Sequence, residues 1–169
     1  MMAKISFRDS AKYGMVLGYF ETRFLQDDAL VRVTRRGAAV IADAVRSAME
    51  KLPTYVPGGK RVSSRGGLTA REKELLQKHF GLTPIKRDRD GFLHTKIGWD
   101  GYANNKTKKF PKGYPVIMIA RTVESGSSWR KKIPFVRPVV KAKEKEAIDE
   151  MQRALDEELA DIFNFEGRT

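Results

Sequence analysis

Two stretches of this 169-residue chain repeat apolar residues at helical spacing over long windows, and they constrain the fold more than any other feature. Over 27–52, Leu30, Val33, Gly37, Ile41, Val45, Ala48 and Leu52 recur at steps of three and four, which places them on one helical face. Arg32, Arg35, Arg36, Asp43, Arg46 and Glu50 fall largely outside that stripe. Pro53 ends the pattern, because a residue before proline is pushed out of helical geometry. Over 138–163 the stripe is Ile148, Met151, Leu155, Leu159 and Ile162, with Glu and Lys elsewhere.

Shorter elements lie between these helices. Thr69 and Glu72 form a capping box that opens a helix over 70–80, with Gly81 as its stop. Asp90-Gly91 is the pair preferred by a two-residue type I′ hairpin, with Pro84–Arg89 and Phe92–Trp99 as its arms. Leu93, Thr95, Ile97 and Trp99 alternate with Phe92, His94 and Lys96 in the second arm, so one face carries most of the large apolar groups. Residues 10–24 fit a short helix after Ser10 or an irregular lead-in. Residues 115–125 fit a helix with Pro115 as its first residue, or a β-branched strand.

Two long helices and one hairpin predict an α+β fold, with the helices packed on a small antiparallel sheet. Length and a hydrophobic fraction of 41% suit one domain over 1–169, with 53–68 and 103–113 as flexible basic loops.

The chain carries a net charge of +12, spread unevenly. Residues 51–114 hold 15 basic and 5 acidic side chains, a net of +10, so nearly all the excess lies in the middle third. Lys60, Arg61 and Arg65 lie among glycines and serines, and Lys106, Lys108, Lys109 and Lys112 follow a pair of asparagines. Such loops suit a phosphate backbone or an acidic protein face, and equally they suit solvated loops without a partner. Phe92, Trp99, Tyr102, Phe110 and Tyr114 are interleaved with the lysines, as base stacking requires, although the same rings can pack the hairpin onto the helices.

Catalytic chemistry finds little support. The absence of cysteine excludes disulfides, thiolate metal sites and a cysteine nucleophile, and His79 and His94 are too few for a three-histidine zinc site. Asp88-Arg89-Asp90-Gly91 opens like a calcium loop but lacks the closing glutamate. Asp88, Asp90, Asp100 and Glu124 beside Lys96 are the residue types of a magnesium nuclease, yet no spacing ties them together. Gly58-Gly59-Lys60 and Gly66-Gly67 lack the phosphate-loop spacing. The expectation is a chain with no catalytic residues, no metal and no cofactor. No run approaches the roughly 20 apolar residues that cross a bilayer, so a soluble protein with no membrane partner is expected.

One longer pattern is more specific. Lys96-Ile97-Gly98-Trp99-Asp100-Gly101-Tyr102 precedes Lys112-Gly113-Tyr114-Pro115. There follow Ile119-Ala120-Arg121-Thr122-Val123-Glu124-Ser125-Gly126, and then Lys132-Ile133-Pro134-Phe135-Val136-Arg137-Pro138 running into the last helix. Over 94–163 the chain resembles the tail-component family of tailed bacteriophages, the neck or tail-completion proteins between head and tail. The long helix at 27–52 stands where that family has its first helix, and 53–90 matches only in being variable and rich in loops.

The resemblance implies a helix over 115–125 stopped by Gly126, no catalysis, and assembly into a ring at the head–tail joint or tail end. Implied partners are further copies of the chain, the head connector and tail-terminator or tail-tube proteins. Trp99, Glu124, Ser125, Gly126 and Arg137 are the implied interface residues, with Glu124 and Arg137 pairing inside the subunit or across a ring contact. Phe135 is expected as a core anchor. The basic loops then face duplex DNA in the lumen or dock onto acidic neighbours. The implied location is the neck or tail of a virion assembled in bacterial cytoplasm.

Overall fold

The computed structural model describes residues 28–55, 67–90 and 92–164. The lead-in at 10–24, the turn residue Gly91 and the basic residues Lys60, Arg61 and Arg65 lie outside the described residues.

The fold is α+β. Helix α1 (Asp28–Glu50) is followed by β1 (Thr54–Tyr55), β2 (Leu68–Thr69), α2 (Ala70–Lys78) and β3 (Phe80–Leu82). Then come β4 (Lys86–Arg87), β5 (Leu93–His94), β6 (Ile97–Trp99), β7 (Tyr102–Ala103), β8 (Tyr114–Pro115), α3 (Val116–Ser125) and α4 (Arg137–Asn164). The strands form short two-stranded pairs: β1 with β2 in parallel, and β3 with β6, β4 with β5 and β7 with β8 antiparallel.

The core forms where the second half of α1 meets α2, α3 and the hairpin. Met49, Val45, Leu68, Leu76, Val116 and Val123 are fully buried there, joined by Phe80 and Phe135. Each such side chain contributes about 1.5–3 kcal/mol relative to an exposed position. The first half of α1 instead pairs antiparallel with the second half of α4. Gly37 makes that pairing close, because a Cβ there would collide with Met151. Arg32 and Glu158 meet in two contacts of 2.5 Å, and Arg36 meets Glu157.

The close approach changes which residues of α4 are covered. Ala147 and Ala154 are buried against α1, whereas Ile148, expected in the buried stripe, is 57% exposed. Small side chains occupy the line of contact because only they fit at this separation. Met151, Leu155 and Leu159 are half-buried. On α1 the buried line is Ala29, Val33, Gly37, Ala42, Val45 and Met49, a slight rotation from the expected stripe.

Two details of the hairpin also differ. Helix α2 has the expected Thr69–Glu72 capping box but ends at Lys78, with His79 as its C-cap. Gly81 is therefore a strand residue opposite Gly98, in an arm that begins at Phe80. The register differs from that of a two-residue turn at 90–91, because Arg87 pairs with Leu93 and the Asp88 N–H donates to the Phe92 carbonyl at 2.9 Å. The Asp88 carboxylate sets that register by accepting from the N–H groups of Asp90 (3.0 Å) and Phe92 (2.8 Å). Lower down, Pro84 and Ile85 stand opposite Thr95 alone, an extra residue that shifts the register between the two halves of the hairpin. Pro84 has no N–H to donate, and the Thr83 hydroxyl accepts from the Lys96 N–H at 2.9 Å beside it.

Residues 116–125 are helical, as the resemblance implies for 115–125, with Pro115 serving as N-cap and closing β8 instead of opening the helix.

Candidate functional site

The strand Ile97–Trp99, the helix end Glu124–Gly126 and the segment Phe135–Arg137 converge on one joint. Helix α3 ends at Ser125, and Gly126 follows with φ 78° and ψ 173°, a conformation open to glycine. A side chain there would press on the Lys132 backbone, so the absence of one lets the chain double back. The returning segment is tied at Ile133, whose N–H donates to the Val123 carbonyl at 2.8 Å.

Glu124 then closes the connection. Its Oε2 accepts from the N–H groups of Phe135 (2.7 Å) and Val136 (2.9 Å), and its Oε1 accepts from Arg137 N–H (3.1 Å). These are N–H groups that the start of α4 would otherwise leave unpaired, and an anion at a helix N-terminus is favoured by the macrodipole. Burial pushes the Glu124 carboxyl up, but the N–H donors of Val136, Phe135 and Arg137, helped by the Arg137 guanidinium, outweigh it. Its pKa lies below the ordinary value of 4.5 as a result.

Beneath the joint lies an aromatic stack. Trp99 is tilted against Phe80 at 5.1 Å between centroids and meets Phe135 edge-on at 5.8 Å. Its indole N–H donates to the Leu76 carbonyl at 3.0 Å. Phe135 is buried, a core anchor as expected.

Among the residues assigned to a subunit contact, Trp99, Glu124 and Gly126 thus have structural roles inside the chain. The Arg137–Glu124 ion pair is intramolecular, with Nε to Oε1 at 3.9 Å and the Arg137 side chain 79% exposed. Ser125 and Arg137 point outward and remain available to a neighbour.

Arg130 was not singled out in the sequence. Its guanidinium is buried, with NH2 donating to Glu72 Oε1 at 2.7 Å and NH1 to Thr122 Oγ1 at 3.4 Å. It anchors the loop between α3 and α4 onto the capping box of α2, since Glu72 Oε2 accepts from Thr69 N–H. The half-exposed Trp129 ring stacks on the guanidinium at 4.6 Å. Within Trp129-Arg130-Lys131-Lys132 no spacing separates this arginine from its surface neighbours.

The basic segment between β7 and β8 has a defined turn. Thr107 and Phe110 exchange backbone hydrogen bonds of 3.1 and 3.0 Å, and Phe110 meets Tyr114 edge-on at 5.1 Å. Lys106, Lys108, Lys109 and Lys112 are all exposed around it.

The acidic residues considered for catalysis do not gather. Asp88 holds the hairpin tip, the Asp100 carboxylate accepts from Gly101 N–H at 2.7 Å, and Glu124 caps α4. His79 caps α2 and His94 lies in β5. Among the described residues no group of three or more His, Cys, Asp or Glu side chains is placed to hold a metal ion. No helix among them is long and apolar enough to cross a membrane.

Comparison with protein-family models, with curated proteins and with solved structures yields no match.

Proposed function

We propose that this chain is a structural component of a tailed-phage particle, assembling as a ring that joins or completes the tail at the head–tail interface. The observation that carries this reading is the meeting of three separate sequence pieces in one joint. The strand Ile97–Trp99, the helix end Glu124–Gly126 and the entry Phe135–Arg137 are the segments on which the family resemblance rests. They touch through the Trp99–Phe135 contact and the Glu124 cap. A pattern whose parts pack on one another has a shared structural cause, which separate chance similarities do not need.

The reading is non-enzymatic and needs no cofactor. Its partners are further copies of the chain, the head connector and the tail-terminator or tail-tube proteins. The exposed lysines of the β7–β8 loop suit acidic faces on those neighbours. Electron microscopy of particles made without the gene tests it. Filled heads beside detached or overlong tails are expected, and normal infectious particles would overturn the assignment.

The same lysines favour a second reading, a nucleic-acid-binding protein using 51–114. It requires duplex affinity that falls steeply with salt in the isolated chain, with a slope reporting several phosphate contacts.

A further inference from the structure

The chain is electrically lopsided. From 148 to 164, helix α4 holds six acidic residues and one basic, a net of −5 in a protein of net +12. Arg32 and Arg36 of α1 engage Glu158 and Glu157. The opposite face of α4, with Lys145, Ile148, Asp149, Gln152 and Asp156, is exposed. That face carries the 57% exposed Ile148 beside Asp149, with Lys145 a turn before it and Gln152 a turn after.

A surface of matching character lies on the hairpin. Gly81 and Gly98 are directly opposed, and a Cβ on either would meet nothing within 4 Å. They floor an open groove of about 650 Å³ whose lining includes Leu82, Ile117, Lys78 and Lys96. Leu82 and Ile117 are 36% and 47% exposed, and both lysines are exposed. A floor of bare backbone admits a close-packed element.

We infer that the outward face of α4 in one copy seats in this groove of a second copy. Ile148 lies against Leu82 and Ile117, and Asp149 and Asp156 lie beside Lys78 and Lys96. The two surfaces are different patches, so the contact is heterologous and propagates from copy to copy until a ring closes. This contact rests on the ring reading above and adds which surfaces make it.

The chain contains no cysteine, so disulfide trapping tests the contact without background. The full chain carrying Gly98→Cys and Gln152→Cys would be assembled into particles in cells, purified and oxidised. Linked dimers, trimers and higher multiples are expected from the double variant and none from either single variant. Particles that hold the protein without cross-links would overturn this contact while leaving the ring reading intact. Wild-type particles that lack the protein altogether would overturn the ring reading, and this contact with it. As a second readout, Lys96→Glu should lose most incorporation and Lys96→Glu with Asp149→Lys should regain it. Unchanged incorporation in Lys96→Glu would also overturn the contact.

Discussion

Two arginine–glutamate pairs of nearly equal length hold different parts of this molecule. Arg130 and Glu72 meet at 2.7 Å in the body, with the arginine side chain 1% exposed. Arg32 and Glu158 meet at 2.5 Å on the helical arm, with the arginine 54% exposed. Distance therefore does not rank them. Removing Glu72 strands the Arg130 guanidinium in a packed loop, whereas Arg32 and Glu158 exchange each other for water. The contrast extends to their surroundings. The body buries Met49, Leu76, Val116 and Phe135 around its charges, and the arm brings two helices together over a glycine and two alanines. The body holds one geometry through buried contacts, in which Arg130 pairs through both terminal nitrogens while its Nε has no hydrogen-bond partner, and the arm leaves an uncovered face.

This contrast can be broken by substitution, measured as urea unfolding at pH 7. Phe135→Ala removes a buried ring and its edge contact with Trp99, and is expected to cost about 3–5 kcal/mol. Arg130→Ala leaves Glu72 without its guanidinium and frees the loop after α3, at an expected cost of about 3 kcal/mol. A cost under about 1 kcal/mol would place this pair in the same class as the arm pair.

Glu124→Gln keeps the shape of the cap and removes its charge, for an expected loss of about 1–2 kcal/mol. Its pH dependence sharpens the test. The folded-state pKa of Glu124 is depressed, so its contribution is fully present above the ordinary value of 4.5 and is lost as pH falls through the folded value. The gap between wild type and Glu124→Gln should therefore close on acidification from pH 5 toward pH 2, read as the difference in urea midpoints. A gap that persists at low pH would mean that shape, not charge, holds the joint.

Arg32→Ala should cost under about 1 kcal/mol, and that small loss should shrink further in molar salt.

Much of the fold was legible where the signal is local and periodic. The helices at 28–50 and 137–164 lie within two residues of the expected spans, because repeats of three and four and the flanking prolines act on the chain locally. The Thr69–Glu72 box was legible for the same reason. The hairpin register was not, because it follows from the Asp88 carboxylate competing for backbone N–H groups, and Asp90-Gly91 alone suggests a tighter turn. The covered side of α4 was not legible either. Apolar content points to Ile148, but the close approach at Gly37 selects Ala147 and Ala154. At the joint, Phe135 and Gly126 were readable in role. Glu124 was singled out with the Arg137 side chain but without the N–H groups of Phe135, Val136 and Arg137, since backbone N–H groups leave no mark in a sequence. Arg130 was hidden in a run of cations.

The most direct test of the central proposal is to locate the chain in purified particles. A full-length protein labelled at one introduced cysteine should be found in several copies at the junction of head and tail. Its absence from complete, infectious particles would contradict a structural role there.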